Sequence, residues 1–354
     1  MGDLRSQLSH FFYPSNLYFL LEKINVMNKF TVTLLFAFFI AVSCFGQQEA
    51  QYTQFMENKM MLNPAYAGAR EAPSIMLLTR NQWIGFDGAP TSQLISFNAP
   101  IFGDKVGVGM SVSHHSIGIT ENWTANMAYS YKIPLSNDAA LRLGIQGSLR
   151  FWGYDFSQVF TIQDPSLDQA IPLNQSATAL KGNFGLGAYF NTKKLYVGIS
   201  APYLYSNSIG FNQGETNLQA VERQHFYFMA GTMFPLNEKW NIKPSILAKY
   251  VDNAPADLDF NLSFVYDQRF TFGPSYRLGG NNAGESAALV FGFQVNNQFG
   301  LGLAYDFIIS NLRQASGINP GTGNSQNNVG SLEVLVRYDL RKDAENITPT
   351  RIFY

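Results

Sequence analysis

Period two governs this chain. From Leu141 to Phe151, apolar or small residues (Leu141, Leu143, Ile145, Gly147, Leu149, Phe151) alternate with Arg142, Gly144, Gln146, Ser148 and Arg150. An extended segment written this way has one greasy face and one wet face. The same alternation recurs from Phe299 to Phe307 and from Leu332 to Leu340. Fourteen strands are expected, near 74–80, 91–99, 105–113, 123–133, 139–150, 182–190, 194–201, 224–234, 240–251, 257–266, 269–278, 287–296, 299–310 and 330–340. Their connections alternate in length. Long ones fall at 81–90, 114–122, 151–181, 202–223, 252–256, 279–286 and 311–329, and short ones at 100–104, 134–138, 191–193, 235–239, Asp267-Gln268 and Asn297-Gln298. Pro134-Leu-Ser-Asn-Asp138 and Pro235-Leu-Asn-Glu-Lys239 read as one turn written twice.

This ordering points to an all-β chain, a transmembrane antiparallel outer-membrane β-barrel of about 14 strands. In such a barrel short turns lie on the periplasmic side, longer loops lie outside, and closure removes sheet edges that lipid cannot satisfy. A soluble β-sandwich or jelly roll also alternates, yet nothing in it requires the strict long and short order. Composition agrees: charged residues are only 14%, while 30 Phe and 18 Tyr accompany 30 Gly. That mixture suits β-structure facing something apolar. A net charge of −1 gives no electrostatic basis for nucleic-acid binding.

One apolar run, Met27 to Gln48, has Lys29 ahead of a greasy core and small residues before Gln47, the layout of a secretory signal peptide. The expected organisation is an upstream extension at 1–26, a signal peptide at 27–46, a plug or periplasmic segment at 47–73, the barrel at 74–340 and a periplasmic tail at 341–354. Cys44, the only cysteine, is then discarded with the signal, leaving no disulfide or thiol chemistry. Within the plug segment, Phe55, Met56, Lys59, Met60 and Leu62 have helical spacing, and Asn63-Pro64 ends a short helix.

Catalytic and metal patterns are weak. His114 and His115 are adjacent, so on a strand they face opposite ways, and His225 opens a distant strand. No nucleophile and base stand at a recognisable spacing. Gly107-Val-Gly109, Gly185-Leu-Gly187 and Gly300-Leu-Gly302 resemble the start of a dinucleotide fingerprint, but each lies inside a strand. Their spacing puts both glycines on one barrel face, where they make room for bulk in the lumen. Asp252 to Asp259 reads as a solvated turn rather than a calcium loop. No enzyme activity, cofactor or metal is expected. Arg142, Arg150, Glu333 and Arg337 are expected to face the lumen with Gln146, Gln294, Asn296, Asp306 and Asp339. Trp123, Tyr129, Tyr131, Phe151, Trp152, Phe234 and Trp240 are expected in interface girdles.

Three stretches near the start, Gln51-Tyr-Thr-Gln-Phe-Met56, Asn63-Pro-Ala-Tyr-Ala-Gly68 and RNQWIGFDGAP from Arg80 to Pro90, resemble the opening of the PorP/SprF family of the type IX secretion system. Gly330 to Tyr338 is similar to that family's last strand, and Thr348 to Tyr354 to its terminus. Glu57-Asn-Lys-Met-Met61 departs from a stretch usually more apolar. The resemblance implies a non-enzymatic barrel in the outer membrane of a Gram-negative bacterium. It would assist secretion or surface attachment of cargo carrying a type IX C-terminal sorting domain, such as a gliding adhesin, together with other type IX components and outer-membrane lipid. A fatty-acid-transporter-like or porin-like channel stays open as an alternative. Asn63, Pro64, Tyr66, Gly68, Arg80, Asn81, Gln82, Trp83, Phe86 and Gly88 are expected to form one linked structure that locks the plug or touches a partner. In it Trp83 and Phe86 would supply large burial.

Overall fold

The computed structural model describes residues 49–158, 176–209, 211–213, 216–218, 221–252, 254, 256–279, 286–309, 317–318, 325–326 and 330–340. The expected signal peptide, the upstream extension and the C-terminal tail lie outside them. Fourteen strands form the barrel: β1 Ser74–Asn81, β2 Thr91–Ile101, β3 Val106–Ile117, β4 Thr120–Pro134, β5 Ala139–Asp155, β6 Ser176–Thr192, β7 Leu195–Ala201, β8 His225–Thr232, β9 Trp240–Val251, β10 Asp257–Tyr266, β11 Phe270–Leu278, β12 Ser286–Gln294, β13 Phe299–Ile308 and β14 Ser331–Asp339. Each pairs antiparallel with its sequence neighbours, and β1 pairs with β14 from Ser74↔Asp339 to Asn81↔Leu332, so the sheet closes. Phe234–Pro235 continues the line of β8 against β9.

Alternation sorts the two faces. Along β1 burial reads in, out, in, out, with Met76, Leu78 and Arg80 inward and Ile75 and Leu77 outward. Leu143, Ile145 and Leu149 of β5 likewise face out while Arg142, Gln146 and Arg150 are buried. Leu186, Ile199, Phe291 and Leu303 extend this outward apolar belt. The core therefore sits inside the barrel. Phe55, Met60 and Tyr66 of the N-terminal segment meet Tyr189, Tyr196, Tyr227, Met229 and Leu247 of the wall, and Tyr52 meets Met76, Leu78, Leu94 and Leu335.

The two turns that read alike in sequence bond alike. Leu135 N and Ser136 N both donate to Ala139 O, and Leu236 N and Asn237 N both donate to Trp240 O. One connection differs from expectation: 114–122 is no long loop, because β3 and β4 pair as far as Ile117↔Thr120 and leave only Gly118-Ile119 to turn. With 15, 17 and 17 residues, β4 to β6 exceed the 9–11 or so that cross a bilayer, so this wall rises above the slab at the long-connection end. By contrast β7 stops at Ala201, and Pro202 turns inward against Gly185, taking Tyr203 and Asn207 into the lumen.

Candidate functional site

Residues 49–73 run down the inside of the barrel from the long-connection end to the short-turn end, held at three levels. At the top, Arg150 of β5 (1% exposed) donates to the Glu49 carboxylate at 2.6 Å and is paired with Glu222. Asn207 Nδ2 donates to Glu222 at 2.9 Å, and the Arg150 guanidinium lies 4.2 Å from the Tyr203 ring centre. Burial works to raise the Glu49 carboxyl's pKa, but Arg150 and His225 outweigh it and hold it below its usual range.

At the second level Glu333 of β14, fully buried, accepts the backbone N–H groups of Thr53 and Gln54 at 2.9 Å each. Arg80 of β1 bridges Glu333 at 3.3 Å and Asp306 of β13 at 2.5 Å, and donates to Thr53 Oγ1 at 2.9 Å. One guanidinium thus joins three elements. Buried carboxylates need such partners, since an unpaired one is costly in a dry interior.

The third level explains the composition of Asn63 to Gly68. The helix α1, Lys59–Leu62, ends at Asn63, whose Oδ1 accepts from Ala65 N at 2.9 Å and caps a 3-10 turn over Pro64–Tyr66. Proline suits that first helical position because its missing N–H is not needed there. Asn63 Nδ2 donates to Ala188 O at 3.0 Å and Ile199 O at 3.3 Å. Ser200 Oγ donates to Leu62 O, and Ser130 Oγ to Ala67 O, both at 2.6 Å. Tyr66 meets Tyr189 edge-on at 5.3 Å.

The wall beneath is glycine. A Cβ added at Gly107 would overlap the Ala67 carbonyl, one at Gly144 the backbone of Ala65, one at Gly187 the Asn63 amide, and one at Gly302 the Gln54 amide. Gly107 and Gly109, one glycine from each of the other two pairs, and Gly144 therefore seat the N-terminal segment, while Gly185 makes room for Pro202 and Gly300 for Gln294 and Arg337. Gly68 itself has φ +64, and a side chain there would overlap Gly107 Cα.

Against β14, Arg337 reaches Glu57 at 2.5 Å and Asp339 at 3.3 Å, and Arg70 reaches Asp339 at 3.2 Å. Burial would raise the Glu57 carboxyl, yet Arg337, Lys243, Arg70 and Lys59 hold it at about 2. Lys59 is 4% exposed and lies 4.2 Å from the Tyr196 ring centre, and burial pushes its ammonium down to about 7. Arg142, 3% exposed, donates to Asp104 O at 3.2 Å.

The two sequence strings do not form one linked unit. Asn63, Pro64, Tyr66 and Gly68 sit on β2 to β7 toward the short turns, whereas RNQWIGFDGAP starts at Arg80 and ends on the opposite rim. There Trp83 N donates to Ser331 Oγ at 3.3 Å, Ile84 N to Gly330 O at 2.8 Å and Gly118 N to Gly88 O at 2.9 Å. Asn81 and Gly88 are exposed, and Gln82, Trp83 and Phe86 are half-buried, so the expected large aromatic burial is absent. Trp152 also departs from the girdle, facing inward at 7% exposure. Glu49, Thr53, Glu57, Lys59 and Glu222 escaped the sequence reading. The one signal was the charged Glu57-Asn-Lys59 inside an otherwise apolar stretch.

His114 stacks on Trp123 at 4.3 Å while His115 tilts against Tyr52 at 6.3 Å, which places them on opposite faces. Among the described residues no group of three His, Cys, Asp or Glu could hold a metal.

Comparison with solved structures finds the same kind of barrel at low identity. The CymD monoaromatic hydrocarbon channel is 12% identical with a TM-score of 0.44, covering 83% of this chain and 93% of that one. A Pseudomonas aeruginosa FadL homologue is 11% identical with a TM-score of 0.44, covering 84% and 96%. Omp33 of Acinetobacter baumannii is 7% identical with a TM-score of 0.40, covering 77% and 100%. A search of curated protein sequences finds no match. The family model described as type IX secretion system membrane protein PorP/SprF matches residues 44–338. With its closed fourteen-strand barrel and plugged lumen, this outer-membrane chain belongs to the PorP/SprF family of type IX secretion system membrane proteins.

Proposed function

We propose that this barrel assists secretion or surface attachment of a cargo protein bearing a type IX C-terminal sorting domain, such as a gliding adhesin, and that it does so without catalysis. The observation that carries this reading is the filled lumen. Residues 49–73 are tied to the wall through Arg150, Glu333 and the glycine seat, so the interior is spent on holding its own chain. Work on a partner then falls to the surfaces at the ends, above all the rim formed by RNQWIGFDGAP, the tall β4 to β6 wall and the long connections.

Deleting the gene and comparing surface proteins by mass spectrometry tests this. Loss of a specific secreted protein, restored by the intact gene, is the expected result. Unchanged surface proteins with impaired uptake of small solutes would overturn it. A small-molecule channel is the second reading, favoured by one observation: β7 ends at Ala201, so above Gly185 β6 keeps its pairing with β5 but has no β7 partner on its other side.

A further inference from the structure

Between the N-terminal segment and the wall from β9 to β14 lies a cavity of about 130 Å³, larger than a single water needs. It is the lower lumen, near the short turns, since Gln268, Arg269 and Arg70 line it. Its charge is lopsided. Five cationic side chains, Lys59, Arg70, Lys243, Arg269 and Arg337, line it against one carboxylate, Glu57. Asp339, which pairs with Arg70 and Arg337, adds a second negative charge at its edge. Even with both acids counted, five positive and two negative groups leave a surplus of three when Lys59 is protonated.

A second observation points the same way. Gln54, 1% exposed, lines this cavity, and its Nε2 hydrogens meet no acceptor in the structure. A buried amide donor without an acceptor is costly, and an oxyanion in the cavity would relieve it. Gln268 Oε1, a buried acceptor without a donor, also lines the space and suits a protonated or water-bearing edge of such a ligand. Ser245, Ser263 and Thr271 add hydroxyls around the same volume.

We infer that the lower lumen is a binding site for a small oxyanion, a carboxylate or phosphate group presented from the short-turn face, held by Lys59, Lys243 and Arg337 with the Gln54 amide. The site needs no open channel. It is a blind pocket at the periplasmic mouth, shaped by the same segment that fills the barrel above it.

Isothermal titration of the mature chain in detergent, with inorganic phosphate and with acetate at fixed ionic strength against a chloride reference, tests this. One of the two anions should bind saturably and more tightly than chloride. Phosphate alone would assign a phosphoryl source, and acetate alone a carboxylate source. Lys243→Gln should weaken that binding at least about tenfold, the loss of one charge-assisted hydrogen bond. Lys243→Arg, which keeps the charge, should retain it, and so should Lys193→Gln, whose exposed side chain pairs with Asp138 away from the cavity. Heat-modifiable migration on gels verifies that each variant is folded. If Lys243→Gln does not fold, phosphorus line broadening or acetate saturation transfer on the intact chain gives the answer without it. Binding no tighter than chloride, or binding unchanged in folded Lys243→Gln, would overturn the inference.

Discussion

At the residue scale the lumen is decided by glycines and a few charges. Gly144 has no room for a side chain, because a Cβ there meets the backbone of Ala65, whereas Gly147 on the lipid face meets nothing within 4 Å. Gly144→Val should therefore destabilise the barrel by about 1–3 kcal/mol, as overpacking does. Gly147→Ala should stay within about 0.5 kcal/mol, as surface changes do. Urea unfolding followed by tryptophan fluorescence measures both. Lys59 makes a second prediction. Its pKa of about 7 lies below the ordinary lysine value, so between pH 7 and about 10 the unfolded chain binds more protons at this site than the folded one. Stability should rise with pH across that window, and the strain of a buried ammonium should be fully present below it. Melting curves at pH 6, 8 and 10 should show Lys59→Met flattening this part of the rise.

Among elements, the twin turns at 134–138 and 235–239 share one hydrogen-bond pattern despite different side chains. Replacing Leu135-Ser-Asn-Asp138 with the Leu236-Asn-Glu-Lys239 sequence should shift stability by less than about 0.5 kcal/mol, read from the same urea titration. Strands and turns were legible because period two and Pro, Asn and Asp chemistry are local. The β3 to β4 connection was not. His114, His115 and Ser116 look like loop because they are polar, yet above the slab a strand need not be greasy, and Thr91 and Ser116 bond across it at 2.9 Å. The site was harder still to read. Glu57 pairs with Arg337, 280 positions away, and no local pattern announces such a partner. The Asn63 to Gly68 string could be recognised as special, but its seat on the six strands from β2 to β7 became visible only once the sheet closed.

For the whole molecule, a closed wall around a bound segment makes the barrel a scaffold. Planar-bilayer recordings of the mature chain should show no lasting conductance, and removal of residues 49–73 should produce discrete open steps. The deletion would also take Glu49 from Arg150 and the Thr53 and Gln54 N–H groups from Glu333, while Arg150–Glu222 and the Arg80 pairs stay in place. The opened barrel should melt earlier, because it loses those hydrogen bonds and the apolar packing of the segment.

The seam between β1 and β14 carries one more consequence. That seam joins the strand that follows the N-terminal segment to the last strand made, and Glu333 and Arg80, which grip Thr53 and Gln54, stand on its two sides. This placement predicts an order of assembly, in which residues 49–73 lie along the nascent sheet before β14 closes it. A barrel folded without residues 49–73 and then given them as a separate peptide should not regain the intact chain's melting temperature, whereas co-refolding the two pieces should restore much of it. That outcome would make the segment part of the mould on which the sheet closes.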